Sequence, residues 1–162
     1  MATQLALKLI EKYSLRGKLC HYSSGEGLDS ILNFRKAGGK VQIEITPQHL
    51  YFSEEKINLE RSNEKKLFQM NPPIRTEKDR EKLLWALKNG DIDFLATDHA
   101  PHSKAEKENG ISGMPGLDTY GLCVCWLIND IKVDPAIILK MTAINPGNFI
   151  NEFLPSLQDK FP

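Results

Sequence analysis

The sequence predicts an α/β fold built on a parallel sheet, and three observations carry that reading. Short apolar runs rich in β-branched residues alternate with stretches of helical periodicity. The helical stretches stop at Gly17, Gly38 and Gly90, and others open on the capping residues Thr76 and Asp134. Alternation of this kind places crossover helices between parallel strands, with no hairpins between antiparallel ones.

The elements follow in order. Residues 3–13 place Leu5, Leu9, Ile10 and Tyr13 on one helical stripe, ended by Gly17. Lys18-Leu19-Cys20-His21-Tyr22 reads as a first strand and Ser23-Ser24-Gly25 as a loop. Residues 26–37 form a helix that buries Leu28, Ile31 and Leu32 and stops at Gly38-Gly39. Val41-Gln42-Ile43-Glu44-Ile45 is a second strand, ended by Thr46-Pro47. The charged stretch 53–70 reads as a solvated loop with one short helical turn. Asn71-Pro72-Pro73 is excluded from any helix interior, because each proline lacks a backbone donor and restricts its predecessor. Thr76 with Asp79 caps a helix over 77–89 that turns Leu83, Leu84 and Leu87 inward. Asp93-Phe94-Leu95-Ala96-Thr97 is a third strand, ending at Asp98. Residues 99–116 hold three glycines and two prolines without periodicity, which predicts a long loop. Helices follow at 117–130 and at 135–143, the latter with Asp134 as N-cap and Pro135 in first position. Asn145-Pro146 starts a short terminal helix.

Composition narrows the function. The chain has 162 residues, 21 Lys+Arg against 21 Asp+Glu, and a formal charge of +0. That balance, with a pI near 6.9, argues against a nucleic-acid or anionic-membrane partner, since both require a basic excess. No apolar run approaches the roughly 18 residues of a membrane span. Met1-Ala2-Thr3-Gln4-Leu5 lacks the basic start and apolar block of a signal peptide. Three cysteines, Cys20, Cys123 and Cys125, are an odd number at no zinc-finger spacing, which fits a reducing, cytoplasmic compartment.

Chemistry-capable groups recur at the strand ends. His21 follows Leu19-Cys20, Glu44 lies near the end of its strand, and Asp98 closes Phe94-Leu95-Ala96-Thr97. The C-terminal ends of parallel strands face one side, where α/β active sites form. A histidine and a carboxylate converging there suit a divalent metal that activates water, with zinc the natural candidate. Each residue also has a plainer reading. His21 can be a hydrogen-bonded strand-end residue, Glu44 a partner of Lys40 or Arg75, and Asp98 the cap of the following turn. Cys123 and Cys125, in the apolar run Leu122–Leu127, read as buried structural cysteines, and Trp85 and Trp126 as core or interface anchors. Thr97-Asp98-His99-Ala100-Pro101-His102 is harder to explain by packing, with three reactive side chains in five residues.

That stretch, with Ala96 before it, resembles the signature of dihydroorotases in the amidohydrolase superfamily. Four further motifs are similar to family segments: Cys20-His21-Tyr22-Ser23-Ser24, Glu44-Ile45-Thr46-Pro47-Gln48-His49-Leu50, Asn71-Pro72-Pro73-Ile74-Arg75 and Gly113-Met114-Pro115-Gly116-Leu117-Asp118-Thr119. The resemblance implies an α/β fold that is part of a (β/α)₈ TIM-type barrel, strands six to eight with their helices. It also implies a zinc-dependent hydrolase interconverting N-carbamoyl-L-aspartate and L-dihydroorotate in pyrimidine biosynthesis. Carried over, His21 and Asp98 would ligate zinc, and Asp98 would also act as the catalytic base. Asn71, His102, Ser112 and Gly113 would bind the small-molecule substrate, the last two through backbone groups.

The sequence departs from the family at Gln48-His49, where two adjacent histidines are common, and at Asp118, where glutamate is common. It also has no His-x-His, since its histidines are His21, His49, His99 and His102. With 162 residues against the roughly 250 of such a barrel, the expectation is a fragment inactive alone. Residues 1–150 would be the C-terminal part of the barrel and 151–162 a tail leading out of it. Self-association or a missing barrel half would cover the open sheet. An allantoinase- or hydantoinase-type enzyme and a degenerate structural subunit are the alternatives.

Overall fold

A computed structural model describes residues 2–154 apart from Arg61. Helix α1 (Ala2–Lys12) precedes strand β1 (Gly17–Leu19), helix α2 (Gly25–Lys36) and strand β2 (Val41–Ile45). Helices α3 (Pro47–Tyr51) and α4 (Glu54–Glu60) and a 3₁₀ segment, Ser62–Phe68, lead to α5 (Glu77–Lys88) and strand β3 (Phe94–Leu95). Helices α6 (Lys104–Glu108), α7 (Leu117–Asn129), α8 (Pro135–Leu139) and α9 (Asn145–Phe153) follow, with a π-helical turn, Lys140–Ile144, joining the last two. The expected boundary at 150 falls inside α9, and residues 155–162 of the expected tail lie outside the described residues.

The parallel sheet is borne out. Its order is β1-β2-β3, with Gly17 opposite Val41, Leu19 opposite Ile43, Glu44 opposite Phe94 and Ile45 opposite Leu95. Alternation along β2 sends Val41, Ile43 and Ile45 to one face and Gln42 and Glu44 to the other. The first face is the core: Ile43 and Ile45 are fully buried with Leu28 and Ile31 of α2, Leu87 of α5 and Leu127 of α7. On the second face Phe94 meets Phe149 of α9 edge-on at 5.8 Å, so α9 lies across part of it. The base of the sheet is fastened by Arg35, which donates to Val41 O (2.8 Å) and Asp91 O (2.7 Å) and pairs with Asp93. The Asp93 carboxylate also accepts from Ile43 N–H at 2.7 Å.

Several sequence expectations are corrected. Of the expected stripe Leu5, Leu9, Ile10 and Tyr13, Ile10 is buried while Leu5, Leu9 and Tyr13 are exposed (60%, 44% and 58%), and Leu7 joins Ile10 on the core. Two apolar registers share this helix, and the i, i+3 pair is the one that meets the sheet. Stretch 53–70 holds α4 and the 3₁₀ segment in place of a loop: Ser53 Oγ accepts from Lys56 N–H at 3.3 Å, and Glu54 and Glu55 fill the first turn of α4. The loop 99–116 contains α6, opened by a capping box between Ser103 and Glu106. Thr46-Pro47 does more than end a strand, because Thr46 caps α3 with Pro47 in first position. Asn145-Pro146 starts the terminal helix α9 as expected, but α9 continues the π-helical turn before it, and Asn145 Nδ2 donates to Asp93 O at 2.9 Å. Trp85 is 51% exposed, with Lys82 Nζ over its ring at 5.0 Å, and is no core anchor. Cys123 packs against the core but Cys125 is exposed, since positions two apart lie on opposite sides of a helix.

Candidate active site

Strands β1 and β3 are shorter than expected, ending at Leu19 and Leu95. The residues expected to carry chemistry leave the extended conformation: His21 has φ 38° and Asp98 φ 45°. Left-handed backbone at a non-glycine residue costs of order 1 kcal/mol or more and clusters at functional sites. Here neighbouring hydrogen bonds hold it. His21 N–H donates to Glu44 Oε1 at 3.2 Å and Tyr22 N–H to the Glu44 carbonyl at 2.7 Å. On the other edge Ala96 N–H donates to Ile45 O and Ala100 N–H to Met114 O, each at 3.0 Å.

With β2 between them, the two outer backbones stand about 10 Å apart, two strand spacings. His21 and Asp98 both act electrostatically on the ring of His49, and Asp98 also on Cys20. Cys20 and His21 follow β1, His49 follows β2 and Asp98 follows β3, so all four stand at the C-terminal rim of the parallel sheet. Within it His21 Nδ1 is buried and has no hydrogen-bond partner. An orphaned buried nitrogen is rare, and an imidazole lone pair is what a divalent cation accepts. Glu44 is 8% exposed and pairs with Lys18, not with Lys40 or Arg75. Lys18 also lies over the Phe94 ring at 4.7 Å, while Arg75 donates to Ser23 Oγ at 2.9 Å. Among the described residues no three His, Cys, Asp or Glu side chains form a metal-holding group. The described residues form no complete metal site, and the unpartnered His21 Nδ1 is a donor free to serve one.

Sequence reasoning left His49 without a role. It is 3% exposed, with Nδ1 2.8 Å from Thr46 Oγ1 and Nε2 3.1 Å from Pro72 O. The consistent tautomer donates from Nε2 to the carbonyl and accepts the threonine hydroxyl at Nδ1. His49 therefore fastens the Asn71-Pro72 segment to the end of β2; the Thr46-x-x-His49 spacing, an N-cap with its third residue, was the available signal. Burial holds the imidazole below its ordinary pKa, so it stays neutral in the folded state. The unfolded chain takes up the proton first as pH falls, so this contribution is full above about pH 6.5 and declines toward the lower folded value. We expect urea-unfolding stability to drop between about pH 7.5 and about pH 5, and His49→Gln to flatten that drop. An unchanged profile in the variant would contradict this role.

The expected substrate residues lie on two neighbouring segments. Asn71 is exposed on the segment between Phe68 and Thr76, and Ser112 is exposed on the loop after α6. His102 is half-buried, 4.0 Å from Glu106, and its ring would be 3.0 Å from a Cβ on Gly113. Gly113 is not fully available to a ligand. Its N–H donates to Gln69 O at 3.0 Å and its carbonyl accepts from Lys107 Nζ at 2.8 Å, leaving one carbonyl lone pair. His99 is structural: its Nδ1 accepts from Gly116 N–H (3.0 Å) and Leu117 N–H (3.2 Å), capping α7 where glycine offers no side chain. An apolar groove of about 550 Å³ lined by Pro47, Tyr51, Phe52, Met114 and Trp126 includes neither His21 nor Asp98.

No protein-family model matches the chain. Over 105 residues it is 43% identical to dihydroorotase from Geobacillus sp. (strain WCH70), covering 62% of this chain and 24% of that protein. Over 133 residues it is 34% identical to dihydroorotase from Clostridium botulinum (strain Eklund 17B / Type B), covering 82% and 31%. The chain is homologous to dihydroorotases. It spans a quarter to a third of the length of these curated relatives. A solved D-hydantoinase superposes with a TM-score of 0.81 at 24% identity, over 90% of this chain and 34% of that one. The dihydroorotase of Saccharomyces cerevisiae, solved with 5-fluoroorotic acid, superposes with a TM-score of 0.75 at 18% identity, over 91% and 42%. These structures share the fold, and a three-stranded parallel sheet with its helices is consistent with part of a barrel. Among the described residues no helix is long and apolar enough to cross a membrane.

Proposed function

We propose that this chain is the C-terminal part of a dihydroorotase-type (β/α)₈ barrel, contributing strands six to eight as β1, β2 and β3. Its whole enzyme is a cytoplasmic zinc amidohydrolase of pyrimidine biosynthesis that interconverts N-carbamoyl-L-aspartate and L-dihydroorotate. The observation that carries the proposal is the pairing of dihydroorotase homology with two left-handed residues, His21 and Asp98, just past the C-terminal ends of the two outer strands of one parallel sheet. His21, through its orphaned Nδ1, and Asp98 would hold the metal. When bound, zinc supplies a Lewis acid and lowers the pKa of water. Asp98 takes the proton released from the attacking water and returns it to the departing amide nitrogen. Asn71, His102, Ser112 and the free lone pair of Gly113 orient the cyclic amide, with His102 at its carboxylate.

The chain alone is inactive in this account, since catalytic zinc sites use three protein ligands and two are at hand. It also leaves apolar surface uncovered, with Leu117, Leu122 and Leu139 exposed at 61%, 70% and 54%. Beyond β1 and β3 the sheet has no neighbour among the described residues. Open edges and apolar patches of this kind drive association. Light scattering is expected to show oligomers or binding of a complementary barrel segment, and a stable monomer would contradict this.

A hydantoinase-type reaction is the second reading, favoured by the higher TM-score of the D-hydantoinase. The deciding test co-expresses this chain with the portion of the Geobacillus enzyme that it does not match. The assembled enzyme is expected to hydrolyse L-dihydroorotate faster than hydantoin or allantoin. The reverse order would favour the second reading, and no activity on any of them would favour a structural subunit.

A further inference from the structure

One buried cation joins the two segments that carry Asn71 and Ser112-Gly113. Lys107 of α6 is 4% exposed, and its Nζ donates to the carbonyls of Gln69 (2.6 Å), Ile111 (3.0 Å) and Gly113 (2.8 Å). Three acceptors match the three donors of an ammonium. Burying a cation is costly unless its donors are met, so the three carbonyls have to be presented together.

The surrounding loop is shaped for that meeting. Ser103 and Glu106 cap α6 reciprocally, with Ser103 N–H donating to Glu106 Oε2 at 2.8 Å and Glu106 N–H to Ser103 Oγ at 3.3 Å. Gly113 has φ 135°, and a Cβ there would lie 2.8 Å from both the Cβ and the carbonyl oxygen of Ala100, so only glycine fits the turn. Gln69 O accepts from Gly113 N–H as well as from Lys107, and Gln69 lies two residues before Asn71. A second strap is Gln69 Nε2 donating to Gly110 O at 2.9 Å.

We propose that Lys107 is a positioning residue for the substrate site. Its ammonium sets the spacing between the Asn71 side and the Ser112-Gly113 side. It also turns the Gly113 carbonyl so that its second lone pair faces a ring N–H of the cyclic amide. The proposal deepens the functional reading above and rests on it.

The test is an NMR titration of the assembled enzyme, with this chain as wild type or as its Lys107→Met variant, with L-dihydroorotate, combined with amide hydrogen exchange. In the wild-type protein a slowly exchanging, protected Lys107 ammonium signal is expected, a readout that needs no variant. Lys107→Met is expected to speed exchange at Gly113 by about tenfold while leaving the buried helix α5 unchanged. It is also expected to weaken L-dihydroorotate binding by about fivefold. Equal affinity in both proteins would overturn the positioning role alone. Absence of any response in wild-type protein, with Gly113 protected, would overturn the functional reading and the positioning role with it. A rapidly exchanging ammonium signal would overturn the clasp itself, whatever the variant does.

Discussion

Asp98→Asn in the assembled enzyme is expected to lower hydrolysis of L-dihydroorotate by at least about a thousandfold, because one substitution removes two functions. Asparagine keeps the shape of the side chain and fits the left-handed backbone that Asp98 adopts at φ 45°. It cannot take a proton from water, and as a neutral amide it is a poor ligand for zinc. Folding should therefore survive while metal content and turnover fall together. His21→Ala separates the two functions: it is expected to reduce zinc content and activity in proportion, with activity restored in part by excess metal. A loss of less than about tenfold in Asp98→Asn would remove Asp98 from the chemistry.

Leu87→Ala is expected to destabilise the chain by about 3 kcal/mol, read as a shift of the urea midpoint at constant slope. Leu87 is fully buried where α5 meets the strands, so truncation leaves a cavity lined by residues already in place. A typical domain has only about 5–15 kcal/mol in total, and an open sheet gives this one no surplus. Leu122→Ala is the control. At 70% exposure its effect should stay within about 0.5 kcal/mol unless Leu122 faces a partner, in which case association weakens without loss of monomer stability. Equal destabilisation by both substitutions would contradict the assigned core.

Much of this architecture was legible in the sequence because it rests on local signals. β-branched alternation located β2, Thr76 and Asp79 marked the start of α5, and Asp134-Pro135 marked α8, where Asp134 Oδ1 accepts from Ala136 N–H at 2.8 Å. The strand ends were legible too, since His21 and Asp98 stand where parallel strands deliver side chains to one rim. What escaped was decided by tertiary contact. The register of α1 depends on which stripe meets the sheet, and β1 and β3 stop at Leu19 and Leu95, short of the left-handed His21 and Asp98. Nothing local to Lys107 says that carbonyls from 38 residues upstream and 6 downstream converge on it. The same holds for His49, whose partner at Pro72 is 23 residues away.

The central claim is that this chain holds part of a zinc-dependent cyclic amidohydrolase site and completes it only with the rest of a barrel. Zinc stoichiometry and L-dihydroorotate hydrolysis, measured side by side on the chain alone and on the assembled enzyme, test it directly. The account predicts weak, substoichiometric zinc and no turnover for the chain alone, with both restored on assembly. Tight stoichiometric zinc with turnover by the isolated chain would contradict it, as would an assembled enzyme that binds zinc and leaves L-dihydroorotate untouched.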